Sequence, residues 1–203
     1  MRPEIDAKAV MKFLPLPLLA LLALPAFGAV SSEASAAAEA KINRILDDEL
    51  SPGETVTLTQ DEMNSYLRYG YAQDLPPGVR DLAVRFEEET GVVTGFADFS
   101  KMAAEGDSPG AFLLMMLRGE RAIEARVRYT SARGMAQVEI ESFKVDGREM
   151  QGPLLDWVVN TFVAPRMESF ELGSPTPLDH NLEEVRLEPG RAVVVASATF
   201  ADR

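Results

Sequence analysis

One histidine, no cysteine and 32 acidic residues set the chemistry open to this 203-residue chain. The histidine, His180, lies in a Pro177-Leu178-Asp179-His180-Asn181 loop. A serine hydrolase needs its histidine beside a nucleophile, and no G-x-S-x-G turn accompanies this one, so a solvated loop histidine is expected. Zinc sites gather several His or Cys ligands, and calcium loops use Asp-x-Asp spacing; neither pattern occurs, and no metal is expected. Lack of cysteine excludes thiol catalysis, disulfides and acylation of a cysteine. No glycine loop that cradles phosphate and no dinucleotide fingerprint appears, so no cofactor is expected either.

Carboxylates are plentiful, which leaves acid–base chemistry open by count. Glu87, Glu88 and Glu89 adjoin one another at a predicted hairpin turn, where a solvated cluster is the ordinary outcome. Asp98 and Asp156 sit inside apolar segments and are the two carboxylates whose burial decides whether a hydrolase is a contender. No catalytic residue is assigned.

The more unusual feature is apolar excess. Ala111 to Leu117 (AFLLMML) has no polar side chain, and the segment Leu154 to Val163 is nearly as apolar. Methionine adapts its shape, so Met102, Met115 and Met116 suit a tolerant pocket as well as a packed core. If a sheet wraps these segments and leaves a slot, Phe112, Leu113, Met116, Leu155, Val158, Val159 and Phe162 line it. Burying an acyl chain gains about 0.8 kcal/mol per methylene, so roughly 16 carbons yield on the order of 10 kcal/mol before ordering costs.

Net charge is -12. Nucleic acid requires a basic footprint, and none exists; an anionic membrane surface is not attracted by charge, which leaves transient or apolar membrane contact. Residues Phe13 to Phe27 (FLPLPLLALLALPAF) follow Lys8 and Lys12. This run is shorter than a membrane span of roughly 20 residues and is broken by proline. Ala26 and Gly28 suit the −3 and −1 positions of a signal-peptidase site, and Ala34 with Ala36 offer a second choice. A cleaved secretory signal over residues 1–28 is expected, with translation starting at Met1 or Met11 and the product periplasmic or secreted. Cleavage after Gly28 removes three basic and two acidic residues, leaving 17 against 30, a net charge of -13.

Behind the leader, residues 29–53 read as a short helix and linker, and residues 54–203 as one domain. Thr59-Gln60-Asp61-Glu62 is a capping box that starts a helix through Met63, Tyr66, Leu67 and Gly70. Alternation predicts strands over Val79 to Glu87, Val92 to Phe99, Glu120 to Ser131 and Met135 to Val145, the last slipping phase at a bulge near Glu141-Ser142. Gly152-Pro153 opens the greasy helix, and a last hairpin covers Leu182 to Glu188 and Arg191 to Thr199. That hairpin repeats the first. Val84, Arg85, Glu87, Val92, Val93, Ala97 and Phe99 recur at a constant offset of 101, which either shared alternation or internal duplication produces.

Three local features resemble those of the LmeA-like, TULIP-related family of exported lipid-binding proteins, and also the YpmS-like family. They are Leu58-Thr59-x-x-Glu62-x-Asn64-x-x-Leu67, then Phe143-x-Val145-Asp146-Gly147 running on to Gly152-Pro153-Leu154-Leu155, and the closing pair Leu172 to Leu178 with Val185 to Ala196. The resemblance implies a long curved antiparallel sheet rolled around a helix, with an apolar groove for lipid. The apolar Ala111–Leu117 insert departs from that pattern. Asn64 is expected to be structural, bonding backbone where the first helix starts.

The expectation is therefore an α+β domain whose long curved antiparallel β-sheet wraps one or two helices. It binds or carries a lipid or other apolar molecule in the cell envelope, without catalysis, and its oligomeric state is open. An envelope interaction module using an apolar helix or strand edge is the alternative, and a hydrolase using Asp98 or Asp156 the third reading.

Overall fold

Ser31 opens helix α1 (Ser32–Leu46): its side chain accepts from Ala34 N at 3.1 Å. The computed structural model describes residues 30–102, 118–160 and 173–198. Within α1, Ser35, Ala38 and Ile45 are buried, as an amphipathic stripe requires. A turn through Gly53, at φ 73°, leads into β1 (Thr55–Thr59). Both halves of the capping box then start α2 (Gln60–Ser65). Glu62 N donates to Thr59 Oγ1 at 3.2 Å, and Thr59 N donates to Glu62 Oε2 at 2.9 Å.

Glu62 also ties α2 to α1. Lys41 Nζ donates to its carboxylate at 2.7 Å and to Thr57 O at 2.8 Å. Burial would raise the Glu62 carboxyl, but the Lys41 ammonium and the Thr59 N–H outweigh it and hold it below the usual range. A carboxyl depressed in the folded state adds stability above its unfolded value and loses it as pH falls through the folded value. Lys41→Met should therefore cost about 1 kcal/mol at pH 7, with solvent screening counted, and should flatten the acid arm of a stability–pH curve.

The expected helix to Gly70 is present but changes type. Tyr66–Gly70 is a π-helical turn in which Tyr71 N donates to Tyr66 O at 2.8 Å. Gly70 leaves room for the Tyr66 ring at the end of this turn. A Cβ there would lie 2.7 Å from the Tyr66 ring, which stacks on Tyr71.

Strands β2 (Val79–Glu87), β3 (Thr90–Asp98), β4 (Glu120–Ala132) and β5 (Met135–Val145) form an antiparallel meander. Helix α3 (Phe99–Met102) follows β3, and β6 (Arg148–Glu149) and β7 (Thr176–Pro177) add short bridges to β5. This six-stranded sheet is open rather than closed into a barrel. The bulge expected in β5 is present: Ile140 faces Val127 and Ser142 faces Arg126, so Glu141 is the extra residue. It brings Phe143 and Val145 onto the face already holding Val138 and Ile140. A second, unexpected bulge lies in β2 between Arg80 and Ala83, where Asp81 takes φ 51°. Gly95 sits opposite, and a Cβ there would meet Leu82 Cδ2 at 2.6 Å.

Helix α4 (Pro153–Val158) opens at Gly152-Pro153 as expected, with proline in its first turn. Strands β8 (Leu182–Glu188) and β9 (Arg191–Ala196) close the chain and join β1 in a separate three-stranded sheet, order β1-β9-β8. The two hairpins share more than sequence. Val84↔Val93 and Arg85↔Val92 in the first correspond, at the same offset, to Val185↔Val194 and Arg186↔Val193 in the second.

Two apolar clusters result. One joins Ala97, Phe99, Phe143 and Val145 to Trp157 of α4, with Val79 and Leu155 packed against it. The other joins Ile45 and Leu50 to Val56, Val194 and Ala196. α1 thus covers the small sheet, and α4 covers one end of the large one.

Candidate functional site

The inner face of the large sheet follows from register, because directly paired residues share a face. Val84, Val93, Ala125 and Phe143 form one row, and Gly91, Val127 and Ile140 the next. Phe143 is buried beneath α4, but Val84, Val93, Ala125, Val127 and Ile140 remain only partly buried. An apolar strip therefore runs on from the Trp157 cluster. The outer face is polar. Arg126 pairs with Glu87 at 2.8 Å and with Glu141 at 3.0 Å, and Lys144 with Glu124 at 2.7 Å.

Beside this strip, where the π turn passes the bulged edge of β2, lies a cleft of about 300 Å³. That volume is at the low end for small-molecule sites, which span about 300–1,000 Å³. Leu67, Leu75, Val79 and Leu82 supply apolar walls, and Asn64, Arg68, Arg80 and Asp81 the polar ones. Val79 belongs both to this wall and to the Trp157 cluster, so the cleft abuts the core. Val30, also in the wall, and Tyr69, next to Arg68, are among the exposed large apolar residues. π turns interrupt helices frequently at functional sites. Two further clefts lie elsewhere, a more open one of about 460 Å³ around Phe96 and Lys144 and one of about 270 Å³ around Tyr129 and Glu184.

Helix α2 also closes the open edge of β2. Asn64 Nδ2 donates to Val84 O at 3.0 Å, and Asn64 Oδ1 accepts from Val84 N at 2.6 Å. One turn earlier, Gln60 Oε1 accepts from Phe86 N at 3.0 Å. Asn64 is thus structural, as expected, but its backbone partner is the strand edge rather than the start of its own helix. Ser131 treats the edge of β8 in the same way, accepting from Val185 N at 2.7 Å and donating to Val185 O at 2.8 Å. Gly190 N donates to Phe86 O at 3.0 Å.

Of the residues expected to line a slot, Leu155 is partly buried against the Trp157 cluster and Val159 is partly buried at the end of α4. Phe112, Leu113, Met116, Phe162 and the side chain of Val158 lie outside the described residues. The cleft at β2 was not anticipated. Leu67 and Leu75 read as ordinary helix and turn residues, and nothing in the alternation of β2 signals the bulge that turns Leu82 over Gly95.

The groups considered for acid–base work do not converge. Asp156 is exposed. Asp98 is partly buried, and the Ser100 hydroxyl and N–H hold its carboxyl below the usual range, the opposite of what a general acid needs. Glu87 is held low by Arg126 and Arg85. His180 is less solvated than a surface loop suggests: its Nδ1 is buried without a hydrogen-bond partner, 3.8 Å from Asp48 Oδ1. Among the described residues no three His, Asp or Glu side chains are grouped for a metal ion, and no helix is long and apolar enough to cross a membrane. Comparison with family models, with curated proteins and with solved structures finds nothing that matches this chain.

Proposed function

We propose that the protein, exported after loss of residues 1–28, binds or carries a lipid or other apolar molecule in the cell envelope and performs no catalysis on it. One observation carries this reading: the cleft at β2 has an apolar wall that meets the Trp157 cluster through Val79, where the partly buried strip Val84-Val93-Ala125-Val127-Ile140 begins. Most such residues in a finished core are fully buried, and a guest laid along this strip would remove its remaining contact with water. The resemblance to the LmeA-like, TULIP-related family implies the same kind of ligand. Asn64, Gln60 and Ser131 occupy the edges of β2 and β8, so the reading as an interaction module that adds a partner strand at those edges is weaker.

Native mass spectrometry of the purified protein should show a lipid-sized adduct that mild extraction removes. Titration of the stripped protein with oleate should then change the emission of Trp157, which lies in the cluster that Val79 touches. A bare mass together with a flat, unsaturable fluorescence response would dispose of the proposal.

A further inference from the structure

Resting on that reading, we propose that the cleft at β2 takes the charged end of an anionic amphiphile, a carboxylate or phosphate on an apolar tail, and that Arg68 is the residue that binds the anion. Two charged walls of the cleft satisfy one another. Arg80 bonds Asp81 and, through Nε at 2.6 Å, the Glu120 carboxylate, and its guanidinium lies 4.5 Å from the Phe96 ring. Arg68 differs. It makes no hydrogen bond or ion pair among the described residues, and its guanidinium rests 5.9 Å from the Tyr69 ring. Arg118, Arg133 and Arg148 also lack an ion pair among the described residues, so what distinguishes Arg68 is its position in the cleft wall. It sits at a rim whose walls are Leu67, Leu75, Val79 and Leu82.

Geometry puts it there. Leu67 and Arg68 are successive residues of the π turn, and both line the cleft. A tail would lie against the leucines and Val79 while its head meets a planar donor suited to bidentate carboxylate or phosphate contact. Asn64 is committed to Val84 and offers the head little.

The overall charge makes the test sharp. A net charge of -12 repels anions, so any preference for an anionic head must come from a local group. Stripped protein is titrated with oleate, with oleyl alcohol of the same chain length, and with inorganic phosphate. Oleate should bind about tenfold tighter than the alcohol, Arg68→Gln should abolish the difference, and Arg68→Lys should restore part of it. Arg68 is exposed, and unchanged urea midpoints for both variants would show that folding is intact. Equal binding of oleate and alcohol by the unaltered protein overturns the assignment of the anion but leaves an apolar-ligand protein standing. Failure to bind either overturns both. Binding of inorganic phosphate as tight as that of oleate, lost in Arg68→Gln, would make the site one for small anions and overturn the amphiphile.

Discussion

Phe99→Ala should lower the stability of this protein by about 3–5 kcal/mol, read as a fall in urea midpoint at constant m-value. Phe99 is 1% exposed, and its ring centroid lies 6.2 Å from that of Trp157 at an interplanar angle of 53°. It stands where β3 turns into α3, in the cluster that also holds Ala97, Phe143, Val145 and Trp157. Truncation removes the transfer energy of a whole ring and leaves a cavity that four strands and a helix cannot jointly collapse into. With no disulfide in the chain, no covalent staple offsets the loss. A cost below about 1 kcal/mol would mean that the cluster is not the core described above. Trp157 emission should shift to the red in the same variant, since its tilted aromatic neighbour is gone.

Asn64→Leu should cost about 2–4 kcal/mol, although it adds apolar surface and keeps helix propensity. The change strips both partners from Val84, whose N–H and C=O point away from β3 at a partly buried strand edge. A donor or acceptor left unmade in such a place costs about 1–3 kcal/mol. Asn64→Asp separates the two bonds: it retains the acceptor for Val84 N but sets an oxygen against Val84 O, and it should recover less than half of the loss. Ser131→Ala tests the equivalent bridge on β8 and should cost about 1–2 kcal/mol, because water reaches a hydroxyl-sized gap more readily. If Asn64→Leu proves neutral by urea denaturation, the edge of β2 does not depend on this amide.

Much of the architecture is legible in local pattern. The capping box at Thr59, the alternation in β2 to β5, the phase slip at Glu141 and the proline-led start of α4 are each short-range signals with one physical reading, and each appears where it was expected. The division into two sheets was not legible, since it depends on which strand β1 chooses, and strand pairing is a long-range decision. The roles of Asn64 and Gln60 were half legible: a helix-borne amide advertises a hydrogen bond, but not a partner 20 or 26 residues away. The cleft at β2 was hidden because it rests on a bulge at Asp81 and a π turn at Tyr66–Gly70, two departures from regular period that composition does not mark. Asp98 stood out for its apolar surroundings, and it is partly buried, with the Ser100 hydroxyl holding its carboxyl below the usual range.

The matched hairpins carry a consequence for how the chain assembles. Their strands are nearly interchangeable in side chain and identical in pairing over Val84–Glu87 and Val185–Glu188, so a growing polypeptide meets two suitors for each docking place. Besides the strands that flank them, β4 beside β3 and β1 beside β9, each meets its own anchor, an amide from α2 in one case and a hydroxyl from β4 in the other. Weakening either anchor leaves the wrong exchange closer in energy to the right one. Slow, heterogeneous refolding and swapped dimers are then the expected pathology of Asn64 and Ser131 variants, beyond any loss of equilibrium stability.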